Sequence, residues 1–137
     1  MKLVIIESPY RGEVERNKLY LRSCIRDCIM RGESPYAWHR MLTDALDDDD
    51  PKERMLGIEA GLAWRSVMKP TFSKHRPDLH IGNEMAVHAF YVDLGWSDGM
   101  LYAKKRYDDE RLLYEERKLP EDDPFFFPML NVKKEES

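Results

Sequence analysis

The sequence predicts a small α/β domain, a parallel sheet of about four strands flanked by helices. Three observations carry this. Leu3-Val4-Ile5-Ile6 is a continuous, largely β-branched apolar run, the pattern of a strand buried on both faces. Strand-like and helix-like segments then alternate along the chain, as successive βα units require. With 137 residues, the chain is close to the ~150 usual for one domain.

The first strand stops at Glu7-Ser8-Pro9-Tyr10-Arg11-Gly12, where Pro and Gly demand a loop. From Glu13 the spacing becomes helical, with Val14, Leu21, Cys24, Ile25, Cys28 and Ile29 on one stripe. Glu13 and Glu15 suit the first turn of that helix, and Arg31-Gly32 suits its end. Ser34 to His39 is a short aromatic-rich stretch, expected as the second strand and ending at His39. A polar loop through Asp47 to Asp50 follows. Pro51 then opens a second helix capped by Asp50, with Met55, Ile58, Leu62 and Val67 facing inward. Ala60, Gly61 and Ala63 allow this helix to pack closely.

The stretch from Lys69 to Glu84 has no periodicity and is expected as a loop. Ala86 to Val92 is the third strand, ending at Asp93-Leu94-Gly95. Ser97 or Asp98 caps the next helix, which runs from Gly99 to about Asp109. Leu112 to Tyr114 fits a short last strand, although Glu110 to Leu119 also fits a longer helix. The expected organisation is one domain over residues 1–119, with an inserted loop at about 68–85. The tail, 120–137, carries Phe125-Phe126-Phe127-Pro128-Met129-Leu130, which should dock on this chain or on a neighbouring subunit. In such a Rossmann-like or flavodoxin-like sheet all strand C-termini share one edge, and ligands bind in the crevice outside it. Glu7, Ser8, Tyr10, His39 and the segment from Asp93 to Gly99 should therefore converge.

Composition limits the function. Twenty-two Lys and Arg against twenty-six Asp and Glu leave a formal charge of −4, which argues against general nucleic-acid binding. No apolar run approaches the ~18 residues of a membrane span, and the run after Met1-Lys2 is too short for a signal-peptide core. The expected location is the cytoplasm. Cys24 and Cys28 have no second pair to complete a zinc site and read as buried thiols. The Asp47–Asp50 run lacks the alternating ligands and Gly of a calcium loop, and His75, His80 and His88 lack zinc spacing. No metal and no cofactor is expected. Gly-x-Gly-x-x-Gly and Walker sequences are both missing, so dinucleotide redox chemistry and NTP hydrolysis have no support.

Three segments carry a family likeness: "IIESPYRGEVERN", "PYAWHRMLTDALDDDDPKERMLGIEAGLAW" and "YVDLGWSDGM". In this order and spacing they resemble the nucleoside 2-deoxyribosyltransferase-like group, in particular its small phage and bacterial relatives, over most of residues 1–67 and 86–117. The resemblance implies a pocket for a nucleoside or nucleotide. It also implies a glutamate nucleophile just after a Gly-Met-like pair at the start of the helix following the third strand. Here that segment reads Gly99-Met100-Leu101-Tyr102-Ala103 and contains no carboxylate. Leu101 can neither attack an anomeric carbon nor stabilise an oxocarbenium-like charge. Asp98, at a capping position, is expected to serve backbone N–H groups.

The candidate ligand-binding residues are Ser8, Tyr10, His39, Asp93, Gly95, Ser97, Asp98, Gly99 and Met100, with Glu7 as the one candidate catalytic carboxylate. Asp93 suits a base or ribose hydroxyl, or a strand-ending Asx-turn. Ser97 and Gly99 suit a phosphate at a helix N-terminus, or capping alone. His39 suits ligand contact or a backbone hydrogen bond, and Tyr10 suits base stacking or aromatic packing. The expected function is binding of a nucleoside- or nucleotide-derived molecule without turnover, by a retired-enzyme scaffold that forms a homo-oligomer. A phage protein that sequesters a nucleotide signal in the host cytoplasm, or blocks a host defence protein, would fit. The alternatives are an active deoxyribosyltransferase or N-glycosidase using Glu7 or a carboxylate from a neighbouring chain, and a protein-interaction module acting through the 68–85 loop and the Phe125–Phe127 tail.

Overall fold

The structure, a computed structural model, describes residues 1–47, 49–64, 71–72, 80–81 and 86–130. Its elements are β1 (Lys2–Glu7), α1 (Val14–Met30), β2 (Glu33–Tyr36), α2 (Trp38–Ala45), α3 (Pro51–Ala63), β3 (Thr71–Phe72), β4 (His80–Ile81), β5 (Ala86–Tyr91), α4 (Asp98–Asp109) and β6 (Tyr114–Arg117). Four strands form one sheet in the order β2-β1-β5-β6, and every pairing in it is parallel. This is the α/β architecture that the alternation of strand and helix signals predicts.

Val4, Ile5 and Ile6 of the β1 run are buried on both faces because helices cover both, whereas Leu3 is exposed. Val4 and Ile6 point to one side, with Val87, Ala89 and Tyr91 of β5. There they pack against Tyr20, Leu21, Cys24 and Cys28 of α1. Both cysteines are buried free thiols. Phe90 points to the other side and packs with Met100, Ala103 and Tyr107 of α4 and Leu62 of α3. Glu7 and Ile5 share this second side by the two-residue period of a strand.

The described part of the tail, residues 120–130, docks on its own chain. Phe126 is buried in the α1-side core, edge-on to Tyr20, and its N–H donates to Ser23 Oγ and Asp123 Oδ2. Arg22 lies over the ring of Phe125 at 3.9 Å. Residues 131–137 lie outside the described residues.

Several expectations need correction. The second strand ends at Tyr36, and His39 belongs to α2, a helix that stands where a polar loop was expected. The sequence signal was weak there because α2 has only eight residues and no side-chain N-cap. The chain after α4 is a strand: α4 ends at Asp109, and β6 begins two residues beyond Leu112, which is itself buried. The 69–84 loop contains a short antiparallel ladder between β3 and β4. Met55 is exposed and Val67 lies outside the described residues.

Asp50 caps α3 as expected, its carboxylate accepting from the Lys52 N–H. Gly61 is the close-packing position: a Cβ there would lie 2.0 Å from Cε3 of Trp38. Gly61→Ala should therefore destabilise the fold by about 1–3 kcal/mol through overpacking. Denaturant melts would show this, with a change in tryptophan fluorescence as the Trp38 ring is displaced.

Candidate functional site

At the C-terminal edge of the sheet a cavity of about 610 Å³ opens between the loop after β1, the starts of α2 and α4, and the flank of α3. Glu7, Ser8, Tyr10, His39, Ser97, Asp98, Gly99 and Met100 all line it. Its position is the crevice where parallel sheets bind ligands, and its volume falls within the usual ~300–1,000 Å³ of small-molecule sites.

Two consecutive residues of the β1 edge are cross-bonded to two consecutive residues of α2. Trp38 Nε1 donates to Glu7 Oε1 at 3.0 Å, and Ser8 Oγ lies 2.9 Å from His39 Nε2. From α4, the Tyr107 hydroxyl also donates to Glu7 Oε1. Both bonds fall on one carboxylate oxygen, and among the described residues none engages Oε2. Glu7 is only 3% exposed. Burial raises its carboxyl to about 7, against the opposing pull of the Tyr107 and Trp38 hydrogen bonds. Burial likewise lowers His39 to about 4, so the ring is neutral at pH 7, and its buried Nδ1 has no partner among the described residues.

Tyr10 stands edge-on to the His39 ring, with centroids 6.4 Å apart. Ser97 caps α4 by accepting from the Met100 N–H at 3.2 Å, so capping falls to Ser97 and not to Asp98, which is exposed on the cavity wall. Arg11 and Arg54 are the cations on the wall among the described residues, beside Glu53 and Asp98.

Asp93 and Gly95 do not line the cavity. The Asp93 carboxylate accepts from the Tyr20 hydroxyl at 2.6 Å and from the Leu119 N–H, so it ties α1 to the segment just after β6 on the other side of the sheet. Gly95 has φ +83 and serves the turn after β5, its N–H donating to Val92 O. Leu101 is 50% exposed and is not on the cavity wall. Tyr102 and Ala103 do not line it either.

Trp38 and Tyr107, which hold Glu7, escaped the sequence reading. Trp38 precedes His39 in a segment read as strand, which would have sent the two side chains to opposite faces. Tyr107 stands 100 residues from Glu7 along the chain, and its stripe with Met100 and Ala103 reads only as an apolar helix face.

Among the described residues, no group of three or more His, Cys, Asp and Glu side chains is placed to hold a metal ion. No described helix is long and apolar enough to cross a membrane. No curated protein and no solved structure matches the chain significantly. A family model does match, over residues 2–86, from β1 through the first residue of β5. The chain thus belongs to the DUF7768 family, a domain of unknown function.

Proposed function

We propose that this chain binds a nucleoside- or nucleotide-derived small molecule in the cavity at the sheet edge, without turning it over. The observation that carries this reading is the wall of the cavity. Its polar residues converge from β1, α2 and α4 at a sheet edge suited to small ligands. Tyr10, Trp38 and Trp96 supply aromatic surface for a planar base. The likeness of three sequence segments to nucleoside 2-deoxyribosyltransferases supports the same ligand class. The segment 99–103, where that likeness implies a nucleophile, holds no carboxylate.

Sequestration of a nucleotide signal, as by a phage protein acting against host defence, is the role that suits binding without turnover. It rests on analogy of fold. Assembly into a homo-oligomer is part of the same reading. Its sequence motive, the Phe cluster, has a different use within one chain, since Phe126 is buried in the chain's own core.

The test is to identify small molecules released from the purified protein by mass spectrometry, and to titrate the protein calorimetrically with deoxynucleosides and nucleoside monophosphates. Saturable binding with no free base detected by chromatography is the expected result. The second reading, an N-glycosidase, is favoured by Glu7 and Asp98 lining one cavity. Base release that disappears in Glu7→Gln would establish it and overturn the binding-only proposal.

A further inference from the structure

We propose that Glu7 and His39 act as a donor–acceptor pair that reads the amino-bearing edge of a nucleobase, a ring nitrogen beside an exocyclic amino group. The inference rests on the proposed binding function and specifies which ligands the cavity selects. Glu7 Oε1 already accepts from Trp38 and Tyr107, so Oε2 is the oxygen left to a guest. When ionised, that oxygen accepts only. His39 Nε2 is engaged by the Ser8 hydroxyl. In the tautomer where Ser8 donates, Nδ1 carries the hydrogen and is the donor lacking a described partner.

An amino group on Oε2 and a ring nitrogen on Nδ1–H satisfy both atoms together. An empty site leaves the buried Nδ1 unsatisfied, which costs about 1–3 kcal/mol. Cytosine- and adenine-type bases offer this edge, whereas uracil- and hypoxanthine-type bases present the reverse order of donor and acceptor. A phosphate is repelled from the same position by the ionised carboxylate and belongs on the side of Arg11 and Arg54.

Protonation of Glu7 turns Oε2 into a donor and weakens the match, so discrimination should grow as pH rises through about 7. The other groups around Glu7 are Tyr107 and Asp98 of α4, Trp38 and His39 of α2, Glu53 and Arg54 of α3, and Arg11 of the β1 loop. His88 of β5, stacked on Tyr107, is also lowered to about 4 by burial. Neither histidine titrates near pH 7.

The experiment compares calorimetric affinities of 2′-deoxycytidine with 2′-deoxyuridine, and of 2′-deoxyadenosine with 2′-deoxyinosine, from pH 5.5 to pH 8.5. The amino-bearing member of at least one pair should bind about ten-fold tighter at pH 8, with the ratio shrinking below pH 7. Glu7→Gln keeps an oxygen for Trp38 and Tyr107 but presents a donor in place of Oε2, and should abolish or invert the preference. Equal affinities within both pairs at pH 8, or a preference that survives Glu7→Gln, would overturn the inference while leaving the binding function standing. If neither these nucleosides nor the corresponding nucleoside monophosphates bind the wild type at any pH, the binding function and the inference fall together.

Discussion

Arg117→Met should unfold more readily than the wild type by about 3–5 kcal/mol, the cost of stranding a buried charge. Arg117 of β6 forks onto both carboxylate oxygens of Glu33, at 2.7 and 2.8 Å, and both residues are buried. The pair holds Glu33 below the usual carboxylate range, chiefly through the hydrogen bonds from Arg117. A carboxyl lowered by folding stabilises the fold above its unfolded value, and that contribution is lost as pH falls through the folded one. In Arg117→Met the carboxylate remains in the interior without its counter-charge, so its protonation should become easier and the deficit should narrow in acid. Urea melts at pH 7 and pH 5 would measure both effects. The double variant Glu33→Met/Arg117→Met should recover most of the loss, because a matched apolar pair has no charge to solvate. A single variant as stable as wild type would mean that the ion pair is not buried in solution.

Glu7→Gln should stabilise the protein at pH 8 by up to about 3 kcal/mol, with the gain vanishing below pH 5. The carboxyl rises from 4.5 to about 7 on folding. A raised carboxyl favours the fold while protonated, and stability is lost as pH climbs from the unfolded value through the folded one. At ~1.4 kcal/mol per unit, that window gives the stated magnitude. His39 and His88 work in the opposite sense, both lowered from 6.5 to about 4 by burial. Their contribution is complete above 6.5 and disappears as pH falls toward 4. Wild-type stability against pH therefore mixes two opposed trends, and the difference between Glu7→Gln and wild type isolates the carboxyl. A difference independent of pH would show that Glu7 is ionised and solvated in the folded protein.

A carboxyl that weakens the fold at neutral pH, buried on the wall of a cavity, fits a group kept for recognition. Glutamine could satisfy Trp38 and Tyr107 equally well. What glutamine lacks is a second oxygen that only accepts, and the nucleobase discrimination proposed above depends on that oxygen.

The sequence alone determined the parallel sheet, because a strand buried on both faces must be apolar at consecutive positions and β1 is. It also determined α3, through the Asp50 cap and Pro51, and it brought Glu7, Ser8, Tyr10 and the Ser97–Met100 segment to one edge, because parallel strands end together. The tertiary structure alone decided which of these side chains face the cavity. Asp93 follows its strand into the crevice region on paper, yet the Tyr20 hydroxyl and the Leu119 N–H hold it on the other side of the sheet. His39 reaches the cavity from a helix of eight residues, too short for periodicity to announce. The oxygen left open on Glu7 depends on a tyrosine 100 residues away, and contacts across that separation leave no periodic or local trace in a single chain.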